Sequence, residues 1–274
     1  MFTVIDFKNF SKKKSIYGFI NRRFNNNKIY IEKCEEFYIL HYNNYGNKIK
    51  WKKIAKKCPT KDVVLTGDLP VPKNFPLRCY NSSRYRRYIL EQTTEKILTN
   101  IDVVASKKNL LIIDENAEHC GFINSIAKEC AGIYVITNSG EKYIQVQRDL
   151  MKDIGLYLSI CTKIPNKNNI ILCIAFSDIS CYNNSLMDIP TFVMNKNKNI
   201  DMEQKLPCDI SFVGPHSFCY EKLLPSYIDK FGVCGALRDI NQVVYDDYCE
   251  KFIIGGDELD FKEMLLFLKR NISS

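Results

Sequence analysis

From residue 110 onward the chain is built from short, unbroken apolar runs: LLII (110–113), GIYVIT (132–137), LYLSIC (156–161), IILCIAF (170–176) and ISFV (210–213). A strand with one wet face alternates apolar and polar residues, so runs without alternation predict strands buried on both faces. Between the runs the spacing turns helical, with Phe122, Ile126 and Cys130 on one stripe and Ile144 and Leu150 in the next candidate helix. Strands alternating with helices predict a parallel sheet with helices on both faces.

The first part of the chain reads differently. Residues 28–42 (KIYIEKCEEFYILHY) are rich in strand formers and flanked by asparagines, which predicts a strand or hairpin. In 48–58 (KIKWKKIAKKC), Trp51, Ile54, Ala55 and Cys58 keep the i, i+3, i+4, i+7 spacing of a short amphipathic helix, and Pro59 stops it. A proline-rich crossing (Pro70, Pro72, Pro76) leads to a long helix that Ser82 or Ser83 can cap, with Leu90, Ile97, Leu98, Ile101 and Val104 as its stripe. The polar break at 106–109 closes this part. The expected organisation is a smaller basic α+β domain over 1–106 followed by an α/β domain over 107–274.

Charge follows the same division. Residues 1–109 carry 23 Lys+Arg against 9 Asp+Glu, net +14, whereas 110–274 carry 16 against 22, net −6. A basic half interleaved with aromatics is the footprint of an anion-binding surface, carried here by Lys12, Lys13, Lys14, Arg22, Arg23, the lysines of 48–57, and Arg84, Arg86 and Arg87. No RRM, KH or helix-turn-helix signature accompanies it.

Other classes are excluded on simple grounds. The longest apolar run is seven residues, where a bilayer-spanning helix needs about 20. Asp6 and Lys8 interrupt the start where a secretory signal needs its apolar region, so a cytoplasmic protein is expected. The twelve cysteines are scattered, and no two lie closer than eight residues, which fits free thiols better than a disulfide framework or a CxxC zinc site. Cys208, His216 and Cys219 form only a weak metal-like spacing. No GxxxxGK[ST], HExxH or GxSxG is present, which leaves P-loop, zincin and serine hydrolase chemistry unsupported.

The layout from 107 resembles the Rossmann-like superfamily, and a smaller domain ahead of it resembles the arrangement of shikimate dehydrogenases. The resemblance implies NAD(P) at the loop after the first strand. That loop departs from the pattern: Asp114, Asn116 and His119 stand where a dinucleotide fingerprint has its three glycines. Asp and Asn tolerate turn geometry, so the bend can survive. Glu115 and Glu118, however, put negative charge at the helix start that a pyrophosphate would seek. Thr137, Asn138 and Ser139 stand where an acidic ribose ligand is expected. Standard NAD(P) binding is therefore disfavoured, and the Lys and Asp substrate signature of shikimate dehydrogenases is not seen.

An open α/β sheet still binds ligands outside the carboxyl ends of its strands. Those ends are Asp114, Glu115, Asn116 and His119; Thr137, Asn138 and Ser139; Ser177 and Asp178; and Gly214 and His216. His119 and His216 are there as a candidate acid and base or as groups to grip a phosphate, set against the plainer reading of two partly exposed loop histidines. Cys120, beside a helix start, is placed where a thiolate is favoured. Gly255 and Gly256 after FII (252–254) either admit a phosphate closely or make a tight strand-to-helix turn, and Asp257 is positioned to cap the last helix.

Three functions follow. The first is a Rossmann-like binder of a small metabolite or protein partner without dinucleotide chemistry; the second is an NAD(P)-dependent oxidoreductase with a divergent loop. The third is a nucleic-acid or anionic-surface binder acting through residues 12–14, 48–57 and 84–87.

Overall fold

The computed structural model describes residues 1–9, 29–44, 48–65, 70–165, 170–177, 179–186, 189–193, 209–212, 230–243, 248–254 and 257–273. Two compact units emerge, Met1–Arg86 with Ser217–Asp246, and Arg87–His216 with Asp247–Ser274. The division falls in the first turn of a long helix, ahead of the polar break at 106, and a later segment returns to the first unit. Among the described residues no helix is long and apolar enough to cross a membrane.

The first unit is a five-stranded sheet in the order β2-β3-β1-β4-β5. Its strands are β1 (Phe2–Asn9), β2 (Ile29–Lys33), β3 (Phe37–Asn44), β4 (Asp62–Leu65) and β5 (Arg78–Cys79). Residues 29–42 form a hairpin, with β2 antiparallel to β3, whereas β1 runs parallel to both β3 and β4. Side chains alternate across this sheet. Phe2, Val4, Phe37, Ile39 and Val64 pack with Val233, Ala236 and Leu237. Ile5, Leu40, Tyr42 and Val63 pack with Ile54 of helix α1 (Trp51–Lys57).

Helix α2 (Ser83–Asn100) buries Leu90, Ile97 and Leu98. At its start Asn81 Oδ1 accepts Ser83 N–H at 2.9 Å, Arg86 N–H donates to Ser82 O at 2.8 Å, and Ser82 Oγ accepts from Arg86 Nε at 3.2 Å. The predicted stripe ends early, because the helix stops at Asn100 and Val104 is 63% exposed.

The second unit holds an eight-stranded sheet in the order β13-β12-β11-β10-β9-β6-β7-β8. The predicted runs became β6 (Asn109–Ile113), β7 (Gly132–Ile136), β8 (Tyr157–Cys161), β9 (Ile170–Ala175) and β11 (Asp209–Phe212). A short β10 (Thr191–Val193) joins them. From β8 across to β11 every neighbouring pair is parallel, and counted from β6 this is the 3-2-1-4-5-6 order of a doubly wound Rossmann-like sheet. An antiparallel hairpin, β12 (Lys251–Ile254) and β13 (Asp257–Asp260), extends one edge. Leu110 to Ile113 and Ile171 to Ala175 are all fully buried, as strands covered on both faces must be.

The sheet is flanked by helices α3 (Cys120–Ile126), α4 (Gly140–Ile154) and α7 (Phe261–Ser273), with a single turn, α5 (Asn183–Leu186), after β9. Helix α6 (Lys230–Asn241) belongs to the first unit. In α4 the buried residues are Tyr143 and Leu150, whereas Ile144 is 39% exposed; Gly155 ends the helix in the left-handed conformation. Asp257 lies in β13 and does not cap α7. Asp260 does: Glu263 N–H donates to Asp260 Oδ1 and Asp260 N–H to Glu263 Oε2, both at 2.8 Å, a reciprocal capping box.

Candidate functional site

Level registers bring the ends of three strands together: Ile113 stands opposite both Ile136 and Ala175. The strand order reverses between β6 and β9, which is where open α/β sheets form their binding crevice. Of the residues expected at this edge, Asp114, Glu115, Asn116, His119, Thr137, Asn138, Ser139 and Ser177 are described and lie on these three adjoining loops. Asp178, Gly214 and His216 lie outside the described residues, as do Gly255, Gly256, Cys208 and Cys219.

The loop after β6 is tied down by its own polar groups. Asp114 N–H donates to Ile136 O at 3.0 Å and Phe176 N–H to Ile113 O at 2.9 Å. Glu115 N–H donates to Ser177 Oγ at 2.9 Å, while Glu115 O accepts from Asn138 N–H at 3.0 Å and Thr137 Oγ1 at 3.2 Å. The left-handed residue of the bend is Ala117, at φ 53°, and not Asp114 or Asn116. Its small side chain, 5% exposed, fits under the loop.

Asp114 is the centre of the arrangement. Only 2% exposed, it accepts Glu118 N–H at Oδ1 (3.1 Å) and His119 N–H at Oδ2 (2.9 Å). The Tyr143 hydroxyl donates to the same Oδ2 at 2.6 Å. These amides, of the N-cap His119 and of the residue before it, are among the donors that a pyrophosphate takes in a dinucleotide site. Here the chain's own carboxylate takes them. Burial, and then the hydrogen bond and charge of Asp114, push the Tyr143 hydroxyl far above its usual range, so it remains a donor. The residues present do not fit a pyrophosphate: two of the loop's donors are occupied, the occupant is anionic, and no glycine in the loop opens the backbone for close approach.

His119 is buried at 7% and has partners. Its ring stacks on Phe176 with centroids 3.7 Å apart and planes 4° apart, and Nδ1 stands 3.4 Å from Glu91 Oε1. Phe122 meets Phe176 edge-on at 5.8 Å. With 6% of its side chain exposed, the imidazole offers little surface to a reactant. Cys120 is a thiol, contrary to the expectation of a thiolate: burial raises its pKa most, Tyr143 opposes this, and Asp114 adds to it. The helix-start effect on which that expectation rested is outweighed by burial, to which the charge of Asp114 adds. What remains at the surface of the edge is acceptor-rich. Asn116, Glu118 and Asn138 are exposed, with no side-chain partner among the described residues.

Sequence reasoning missed Tyr143, Glu91 and Phe176, which lie 29, 28 and 57 residues from their partners Asp114 and His119 and carry no local signal. It also missed a polar pair in the first unit. Asp6 Oδ2 stands 2.7 Å from His41 Nδ1, both buried, with Tyr30 stacked on the imidazole at 4.3 Å. Asp6 and His41 are direct neighbours on β1 and β3, so the strand pairing alone explains their contact. Among the described residues no group of His, Cys, Asp and Glu is arranged to hold a metal ion. In comparison with known proteins, no family model matches the chain and no curated protein matches it.

Proposed function

We propose that the second unit is a Rossmann-like binding domain that takes a small, non-phosphorylated ligand at the carboxyl edge of β6, β7 and β9, without nicotinamide or flavin chemistry. The observation that carries this reading is the Asp114 carboxylate on the amides of Glu118 and His119. A pyrophosphate placed there would lose its donors and meet a buried negative charge, and a buried pair of like charges is strongly disfavoured. The exposed Asn116, Glu118 and Asn138 around the loop offer carbonyl and carboxylate oxygens, which suit hydroxyl or amino donors on a ligand.

Two measurements test this. Thermal shifts with NAD, NADP and FAD at millimolar concentration are expected to be absent, whereas a ligand at 100 times its dissociation constant adds about 2.7 kcal/mol and is visible. Native mass spectrometry of the purified protein is expected to show a retained small molecule. The strand order alone favours the second reading, an oxidoreductase with a divergent loop, and a clear shift with NADP would replace the proposal by it. No adduct, and no shift from a panel of sugars, polyols and amino acids, would redirect the edge to a protein partner.

A further inference from the structure

The segment 48–61 (KIKWKKIAKKCPTK) contains seven lysines and no acidic residue. Within it α1 uses its apolar side on the first unit's own sheet. Ile54 is fully buried among Ile5, Leu40, Tyr42 and Val63, and Trp51 meets Phe75 edge-on at 5.1 Å. Lys48, Lys50, Lys52, Lys56 and Lys57 are exposed, and no side chain among them has a hydrogen-bond or ion-pair partner among the described residues.

We propose that this lysine face is a docking surface for duplex nucleic acid, held through the phosphate backbone. It belongs to the first unit and does not depend on the ligand reading of the second. A merely solvated helix face mixes charges so that i, i+4 pairs attract. Here Lys52 and Lys56 repel, at about 0.2–0.5 kcal/mol. The helix dipole rewards Lys56 and Lys57 in the last turn, but Lys52 sits in the first turn, where a cation is disfavoured. A polyanion laid along the face removes both penalties.

The occupant follows from what the face lacks. An interfacial membrane helix needs an exposed apolar side, and this one is spent on the sheet. A single-strand site needs exposed aromatic platforms, whereas Trp51 is turned onto Phe75. Lysines one turn apart are separated by about 5–6 Å, which lets neighbouring lysines reach successive phosphates of one strand of a duplex. Arg86 is engaged with Ser82 and lies 4.5 Å from the centre of the Phe231 ring. Residues 12–14, 22 and 23 lie outside the described residues.

The test is fluorescence anisotropy of the full chain with a labelled mixed-sequence DNA duplex across a salt series. Wild type is expected to bind at about 50 mM salt, with log K falling by about 0.9 per phosphate contacted. Replacing Lys50, Lys52, Lys56 and Lys57 together by Gln is expected to flatten that slope by about 3 to 4 and weaken binding at least tenfold. Should the fourfold variant fail to fold by circular dichroism, Lys52→Glu and Lys56→Glu are measured singly, and each is expected to weaken binding severalfold. No duplex binding by wild type, an unchanged slope in a folded variant, or tighter binding to a single strand or to phosphatidylserine vesicles would overturn the proposal.

Discussion

The Tyr143 hydroxyl donates to Asp114 Oδ2 over 2.6 Å, joining α4 to the loop that follows β6. Both groups are buried, so losing either leaves the other's hydrogen bonding unsatisfied. Tyr143→Phe is expected to cost about 2 kcal/mol, the range for hydrogen bonds to charged groups. Asp114→Ala is expected to cost about 3 kcal/mol, because it orphans two amides and the phenol together. Urea unfolding of both single variants and the double variant should give a coupling of about 1–2 kcal/mol. Simple additivity would mean that the two groups act apart.

Burial, with Glu129 adding and Lys108 opposing, pushes the Cys130 thiol up to about 12 from its usual value near 9.0. A group whose pKa is raised on folding gives stability that is complete below the unfolded value and lost as pH rises toward the folded one. From about pH 9 to pH 12, then, this thiol should cost the fold about 1.4 kcal/mol per pH unit. Unfolding measured at pH 8, 9, 10 and 11 should show a shallower alkaline decline for Cys130→Ala than for wild type, with parallel lines below pH 8. Identical slopes throughout would place the thiol in water.

Two glycines in helices should respond oppositely to alanine. A Cβ on Gly235 of α6 would meet the Tyr80 hydroxyl and come within 2.7 Å of Tyr85 Cβ, while one on Gly121 of α3 meets nothing within 4 Å. Gly235→Ala is expected to destabilise by about 1–3 kcal/mol through overpacking, despite the better helix propensity of alanine. Gly121→Ala is expected to stabilise by up to about 1 kcal/mol. Thermal melts of the two variants decide the matter, and a Gly235→Ala melt at or above wild type would mean that the tyrosines yield freely.

Lys108 is 8% exposed, and its Nζ donates to Leu98 O at 2.7 Å, closing the last turn of α2. Lys108→Ala should cost about 1–3 kcal/mol, as it leaves a buried helix-end carbonyl unpaired. Lys107→Ala, one residue away and exposed, should fall within about 0.5 kcal/mol of wild type. Denaturant midpoints of the pair test this directly, with equal midpoints counting against a structural role for Lys108.

What the sequence determined by itself was the parallel core of the second unit's sheet. Strands buried on both faces cannot carry polar residues, so LLII, GIYVIT and IILCIAF declared themselves, and their spacing left room only for crossover helices. It also showed that the glycine fingerprint was gone and where the carboxyl ends would fall. Shorter or more mixed segments stayed hidden: β1 carries the polar Thr3 and Asp6 among its apolar residues, and three-residue β10 is held by its neighbours β9 and β11 rather than by any pattern of its own.

Only the tertiary structure decided what replaced the fingerprint. Asp114 reads in sequence as a turn residue, and His119 as a loop histidine. The first became a buried cap because Tyr143 arrives from the next helix with a proton to donate. The second became part of the core because Phe176, at the end of a strand 57 residues on, presents a flat ring beside it. Periodicity encodes which face of an element is buried, since that depends on nearby residues. Which polar groups meet there depends on chain segments that become neighbours only when the sheet closes.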